Sequence, residues 1–553
     1  MTTTASHTDV LVVGAGPTGL TCALLLAREG VPVRVIDASP TPITQARAMF
    51  LHVRTLELWD RLGIAGTAVE RGAPINGVSI WRDGRKAGTL SVRAAFSGTS
   101  TYPHSLGLPQ DETQRLLLET LAVHPAARID WGTRLHALRQ DDDCVTVDVG
   151  TPGGPAVLSA DWLVAADGGS STVRDLLGVA MPGETYELPE FGADVDLPPG
   201  LPTDEMITCS SMGRGLSVMP VGGGRFRVFG TLTPELRDLL GTTGDGADLP
   251  LDAVTRWLRD ALPAAPTPTA VHRSFAYRIH RRVADRFGVG RVFLAGDAAH
   301  MNAPAGGQGI NLGMGDGFNL GWKLALVTRG LARPALLDTY EAERHPLATT
   351  VVRAVDRIYR ADQPSGGPTS RLTSAIANRL TALAVEVPVV RRLIADAMSQ
   401  TWISYRRGPA VTDLGPRTGT RAGDRLPTAD LPQALREVRW HAVVVDGGHP
   451  AAGDGLARAT ATALETVGLE IAVHREHDAG PLHRALGVAG PLHRALGVAG
   501  PLVALVRPDG HLAFRARTTA DLPALRALLD RYLVTAGPSR ERAHPASTIA
   551  GGG

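Results

Sequence analysis

Apolar positions along this chain follow two rhythms, and the order in which they alternate predicts its architecture. Residues 9–13 (DVLVV) and 33–36 (VRVI) are short apolar runs of the kind that make buried strands, and between them a helix runs through Arg28 to a stop at Gly30. Residues 292–295 (VFLA) repeat the strand pattern far downstream, with Phe318, Leu320, Trp322 and Leu324 as the core of the helix behind it. Residues 77–82 (GVSIWR) and 88–92 (GTLSV) alternate instead, as half-buried strands of a second, smaller sheet do. Residues 215–221 and 225–232 predict a hairpin over three glycines, and Val254, Trp257, Leu258 and Leu262 share one helix face.

Further along, residues 336–346 open a helical region that continues to about residue 407, in which 372–398 reads as core or as the contact of a homodimer. Then follow strand 442–445, helix 456–467, strand 469–473, a short helix, strands 502–506 and 511–515 around a Pro-Asp-Gly turn, and helix 521–533. That order, βαβ then ββα, is thioredoxin-like. The fold class predicted is α/β, with a Rossmann-like dinucleotide-binding domain from residues 1–76, 101–178 and 284–365 and an inserted β-rich substrate domain from 77–100 and 179–283. A helical connector (366–414), the thioredoxin-like domain (415–537) and a disordered tail (538–553) complete it.

Composition narrows the chemistry. At 553 residues the chain has ample core for an enzyme of two or three domains. A net charge of +1 with 20% charged residues leaves no basic stripe for nucleic acid. No window approaches the roughly 18 apolar residues of a membrane span, and the start carries no signal-peptide pattern, so a cytoplasmic protein is expected. Cys22, Cys144 and Cys209 are too far apart for a disulfide framework or a metal site, and no cysteine lies in the thioredoxin-like part, which excludes dithiol chemistry there. GPLHRALGVA occurs twice in tandem, at 480–489 and 490–499, but two His-Arg pairs ten residues apart make no metal site either.

Three segments carry chemistry. Gly14, Gly16 and Gly19 follow the first strand at once and open the first helix, which is GxGxxG in the context it requires. Gly14 permits the tight turn, Gly16 the approach of a pyrophosphate, and Gly19 close helix packing, while Asp37 ends the second strand where a carboxylate accepts from ribose hydroxyls. The second segment, residues 161–174 (DWLVAADGGSSTVR), again delivers an acid and glycines, Asp167 to Gly169, to the end of an apolar strand, although the capping chemistry of residues 170–172 accounts for part of it. The third, residues 291–324, places Asp297 at a strand end and glycines 306, 307, 309 and 313 at a helix start, where backbone can approach a flat ring and N–H groups favour negative charge. Arg47 and Gln110 stand at helix entries, and Met219, Phe229, Tyr277 and Arg278 are ligand-facing candidates in the β-rich part.

GAGPTG with Asp37, DGGSSTVR, and GDAAH followed by PAGGQGINLG together resemble the three signatures of class A flavoprotein monooxygenases, the single-chain aromatic hydroxylases that use FAD and NADPH. The cysteine-free tail resembles their phenol hydroxylase branch, and RVFLAGDAAH with LLDTYEAERHP is similar to its aromatic polyketide hydroxylases. The resemblance implies a Rossmann-like FAD-binding domain in which Gly14, Gly16, Pro17, Thr18 and Gly19 lie at the ADP pyrophosphate and Asp37 at the adenosine ribose. Arg47, Gln110 and Leu135 would touch FAD, Asp297 its ribityl chain, and the backbone of Gly309, Ile310 and Asn311 its isoalloxazine. Residues 167–174 would serve both FAD and the co-substrate NADPH (or NADH). The chain departs from the family pattern in Asp37 for glutamate, Ala303 for proline and Gly317 for alanine. Met49 stands where phenol hydroxylases of this branch carry a catalytic acid, so no catalytic residue is assigned. The implied activity is hydroxylation of a polycyclic phenol or quinone with O2 through a flavin C4a-hydroperoxide. Baeyer-Villiger or ring-opening oxygenation, a flavin dehydrogenase or halogenase, and a non-catalytic dinucleotide-fold binder remain open at this point.

Overall fold

Strands rich in valine and leucine, buried on both faces, suit a parallel sheet. Ser6–Val13 lies between Val33–Ile36 and Gly154–Ala165 and is parallel to both, with Val292–Leu294 parallel on the far side of Gly154–Ala165. Ala127–Asp130 extends the sheet beyond Val33–Ile36. The long strand Gly154–Ala165 changes partners midway: its first half pairs with the antiparallel Val145–Thr151, which carries Arg134–Gln140, and its end pairs with Val292–Leu294. The computed structural model describes residues 6–43, 48–82, 85–187, 190–211, 214–231, 251–262, 265–362, 395–396, 399–417, 419–429, 431–446, 449–465, 467–476 and 500–535. Arg47, most of the connector, the tandem repeat and the tail lie outside them.

Helices Pro17–Arg28 and Gln308–Thr328 pack against each other at small residues. A Cβ at Gly317 would overlap the Thr18 carbonyl oxygen, and one at Gly321 would lie 2.9 Å from a Leu25 methyl. The glycine that replaces the family's alanine at 317 is thus what lets these two helices approach so closely.

A second, seven-stranded sheet runs Ala270–Tyr277, Glu190–Asp196, Arg225–Thr231, Arg214–Gly222, Glu205–Ser211, Gly77–Arg82, Arg85–Ser91. The strands at 77–91 therefore leave the first sheet's neighbourhood in sequence and join strands more than a hundred residues downstream, through a parallel pairing with Glu205–Ser211. Helix Leu251–Ala261 covers this sheet with the predicted face, Trp257 meeting Phe191 edge-on at 4.8 Å.

In the C-terminal part His441–Val445 pairs parallel with Ala472–Glu476 and antiparallel with Leu502–Val506, which forms a hairpin with Leu512–Ala516; helices Pro450–Leu464 and Leu522–Tyr532 accompany them. Pro450 starts its helix six residues before the predicted 456, as a proline at the first helical position can. The helical region predicted through 407 stops short: Gln400 adopts a left-handed conformation (φ 58°), and Ser404 bridges Asp424 in an extended segment. Among the described residues no helix is long and apolar enough to cross a membrane, and no group of His, Cys, Asp and Glu could hold a metal ion. All three cysteines are free thiols.

Candidate functional site

The carboxyl ends of four adjacent strands bring the three segments together. Gly14 N–H donates to the Ile36 carbonyl (2.8 Å), Ala166 N–H to Val13 (2.8 Å) and Ala295 N–H to Ala165 (2.9 Å), so Asp37, Gly14, Asp167 and Gly296 follow neighbouring strand ends. Open parallel sheets bind ligands in this place. Gly14 has φ 106°, and a Cβ there would overlap the Ala166 carbonyl oxygen; one at Gly19 would overlap the Gly14 carbonyl. Both glycines are therefore required by the fold itself. Gly16 differs: its φ of −71° suits any residue, and a Cβ on it would meet nothing within 4 Å, projecting into the open space before the helix start. That open front, on a helix beginning with Pro17 and lacking a side-chain cap, fits a pyrophosphate.

Asp37 is half-buried and anchored at the strand end. Its carboxylate accepts from Ala15 N–H (2.7 Å) and Ser39 N–H (2.8 Å), which fixes the acid against the first glycine turn. Gln110 begins helix Gln110–Leu121, and its side-chain oxygen accepts from Ala48 N–H at 3.3 Å. One turn later Gln114, buried, donates to the Ala15 carbonyl (2.6 Å) and accepts from Ile43 N–H (2.8 Å). Sequence gives no reason to choose Gln114 over any polar helix residue; its only signal is that it shares a helix face with Gln110. Leu135 is buried in the main core on strand Arg134–Gln140, and the neighbouring Thr133 N–H donates to the Asp37 carbonyl.

Asp167 accepts from the Ser171 hydroxyl (2.5 Å) and Val173 N–H (3.2 Å), and Ser171 in turn caps the short helix Thr172–Leu176. Burial pushes its carboxyl up, against these hydrogen bonds. The capping chemistry foreseen for this segment is thus real and includes the acid. Arg174, nearly buried, donates to the carbonyls of Gly169 (3.0 Å) and Ala298 (3.3 Å) and ties the second segment to the third.

The third segment begins with Asp297, exposed on a single 3₁₀ turn, and Gly296, whose Cβ position is 2.6 Å from the Thr18 hydroxyl. Gly306 and Gly307 are consecutive left-handed residues (φ 71° and 64°), and the helix they open, Gln308–Thr328, has no side-chain cap, leaving the N–H groups of Gly309 and Ile310 available to a ligand, whereas the Asn311 N–H closes the first helical turn on Gly307. Asn311 is spent on the loop: its amide donates to Phe50 and Gly307 carbonyls (both 2.7 Å) and its oxygen accepts from His52 N–H and the Thr55 hydroxyl. Asn302 is an addition that the sequence pattern does not single out. Its side-chain oxygen is buried without a partner, 3.5 Å from the Cβ position of Gly309. An acceptor left open beside an uncapped glycine-rich helix start suits the polar edge of a flat heterocycle.

Behind this surface lies a buried ionic network. Asp316 accepts from His300 (2.7 Å), Gly296 N–H (3.1 Å) and Arg344 Nε (2.6 Å), all three side chains being at most 2% exposed. Glu343 accepts from Lys323 (2.9 Å), the Asn319 amide (2.8 Å) and both terminal nitrogens of Arg507 (2.6 and 2.9 Å). Burial alone would raise the Glu343 carboxyl, but Arg507 and Lys323 outweigh it and hold it at about 2. A carboxylate depressed in the folded state stabilises above its unfolded value of 4.5. Acid titration of the folded protein should therefore lose roughly 3 kcal/mol between about pH 4.5 and 2 through this one group. Urea midpoints across that window, compared with Glu343→Gln, measure it; equal slopes in the two proteins would refute the assignment.

Met219 and Phe229 lie where the seven-stranded sheet packs on the short strands Phe50–Leu51 and Ala73–Ile75. Met219, Val221, Ile75, Met49 and Phe50 form one buried apolar cluster with Met206 and Phe229 half-buried against it. Phe50 lies 2.9 Å from the Cβ position of Gly307, which brings this cluster to the glycine loop. Tyr277 packs on Phe275 at 6.0 Å, and Arg278 is exposed.

A parallel sheet with an open glycine turn, an anchored acid at the next strand end and an uncapped glycine-rich helix start beside an apolar cluster is the architecture of a dinucleotide-cofactor enzyme of the flavoprotein class. The FAD binding domain family matches residues 7–355, and the chain belongs to it. Over 99% of both chains it is 33% identical to the 6-methylpretetramide 4-monooxygenase of Streptomyces rimosus, and over 74% of this chain and 82% of the relative it is 36% identical to a rifampicin monooxygenase of Streptomyces venezuelae. Among solved structures it is similar to the anhydrotetracycline hydroxylase of Streptomyces rimosus (TM-score 0.70, 28% identity, covering 95% of this chain and 99% of that one). It is likewise similar to aklavinone-11 hydroxylase in complex with FAD and aklavinone (TM-score 0.71, 26% identity, 95% and 98%). The protein is an FAD-dependent monooxygenase.

Proposed function

We propose that the protein hydroxylates a polycyclic, polyketide-like phenol or quinone in the cytoplasm, consuming NADPH or NADH and O2. The observation that carries this is the apolar cluster of Met49, Phe50, Ile75, Met219 and Val221 abutting the Gly306–Gly307 loop. It has no ionisable side chain, so it favours a large flat apolar substrate and supplies no base; its two methionines, with Met206, add a surface that adapts to ring shape. Relatives named for tetracycline intermediates and aklavinone support the same substrate class. Bound FAD supplies the activation of O2. The chain's own contribution is to hold the cofactor at Gly14, Gly16, Pro17, Thr18, Gly19, Asp37 and Asp297, to orient the substrate, and to keep water from the reacting carbon. The strand pairing of 77–91 supports the inserted substrate domain, and the strand senses after residue 441 support a thioredoxin-like C-terminal domain.

A panel of tricyclic and tetracyclic phenols, screened for stimulated NAD(P)H oxidation and product mass, tests the proposal. A product gaining one oxygen without ring cleavage is expected. Phe229→Ala is expected to raise KM roughly tenfold, the loss of about half a buried aromatic contact, with flavin reduction unchanged. An unchanged KM would remove Phe229 from the substrate wall.

A further inference from the structure

The two helices that shape the Gly306–Gly307 loop are both gripped from behind by the C-terminal domain. The first is Val53–Arg61. Its Arg54 donates to the Asp509 carbonyl (2.5 Å), its Glu57 accepts from Arg425 (2.8 Å) and the Thr428 hydroxyl (3.2 Å), and its Arg61 donates to the carbonyls of Pro508 and Glu437. All three side chains are nearly fully buried. Gly510, with φ 77°, leaves room for this, since a Cβ on it would lie 2.6 Å from an Arg61 nitrogen. The front of the same helix delivers His52 N–H (2.8 Å) and the Thr55 hydroxyl (2.7 Å) to Asn311.

The second grip is on Glu343 and Arg344 of helix Ala335–Asp362. Arg507 takes Glu343 with two nitrogens, while the Tyr405 hydroxyl lies 3.0 Å from Arg344. The Tyr405 ring packs 4.4 Å from that of His511, tilted by 45°, with Arg507 over it at 5.1 Å. Arg344 then reaches forward to Asp316 and the Leu312 carbonyl, and Asp316 holds Gly296 N–H. A small cavity of about 20 Å³, lined by Asn311, Arg344, Tyr405 and His511, marks where the two grips converge. Apolar contacts would suffice to attach a domain; buried, multiply bonded charges instead tolerate only one geometry, because any slip leaves a charge unpaired.

We propose that the turn from Arg507 to His511, with Tyr405, is a positioning element of the flavin site: it sets the Gly296 amide through Arg344 and Asp316, and the Gly306–Gly307 loop through Arg54 and Asn311. The proposal rests on the assignment of residues 296–311 to the flavin. Its test uses the full-length protein. Tyr405→Phe removes one hydroxyl and keeps the ring; Arg507→Leu removes the double grip; Arg526→Ala, on a half-buried pair of the same domain, is the control.

At saturating FAD, Tyr405→Phe and Arg507→Leu are expected to alter the bound flavin's absorption band shape and to lower the product formed per NAD(P)H. FAD dissociation constants should rise roughly tenfold, a typical coupling between linked sites. A wild-type protein that binds no FAD would sink the flavin assignment instead. If wild type binds FAD and both variants keep its affinity, band shape and product ratio, the C-terminal domain is a passive neighbour and the proposal is overturned. Should Arg507→Leu fail to fold, Tyr405→Phe decides alone.

Discussion

Gly16→Ala is expected to yield a stable, colourless protein, whereas Gly14→Ala should be colourless and less stable as well. The two glycines sit two residues apart in one turn, yet the structure gives them different work. At Gly14 an added methyl would strike the Ala166 carbonyl and force a residue other than glycine to φ 106°. Such a conformation costs about 1–3 kcal/mol before the clash is counted. At Gly16 the backbone is ordinary and the methyl meets no protein atom, so the apo fold tolerates it. Its methyl does project before the helix start, at the site proposed for the pyrophosphate. Urea midpoints of the apo proteins together with retained yellow colour separate the cases. A yellow Gly16→Ala protein with wild-type FAD affinity would move the pyrophosphate away from this turn.

Asp316→Ala should have the largest effect on stability. Asp316 is fully buried and serves three donors at once, so its removal leaves the Arg344 guanidinium without its carboxylate and the His300 ring and Gly296 amide without this acceptor. Burial alone would raise its carboxyl, but Arg344 and His300 hold it below the usual carboxylate range, so it is ionised and its partners depend on that charge. Breaking a buried pair from one side costs about 3–5 kcal/mol. Asp316→Asn, which keeps the shape, should cost less. A loss under about 1 kcal/mol in chemical denaturation of Asp316→Ala would show that water reaches Arg344 and that the network is weaker than its geometry.

Burial decided what the sequence left open elsewhere. Glu343, Arg344 and Asp316 look like the solvated face of helices, since charged residues on helices are mostly exposed and periodicity does not report what packs on them. Their partners Arg507 and Tyr405 lie far along the chain, and no local pattern announces them. Gln114 is hidden in the same way, a polar residue on an amphipathic helix until the Ala15 carbonyl is found beside it. Gln400 broke the predicted helix for a tertiary reason too: its left-handed backbone lets its amide reach Gln308 at 2.8 Å.

By itself, the sequence determined the three glycine-bearing segments and the α/β class, because a glycine turn after an apolar strand is a demand made by backbone sterics on adjacent residues. Only the tertiary structure decided that those segments end on neighbouring strands, that Asp167 also caps a helix, and that the helices beside the Gly306–Gly307 loop are held by charges from the C-terminal domain. Those facts depend on which distant groups share a dry interior, and desolvation is a property of the packed chain, invisible in the order of its residues.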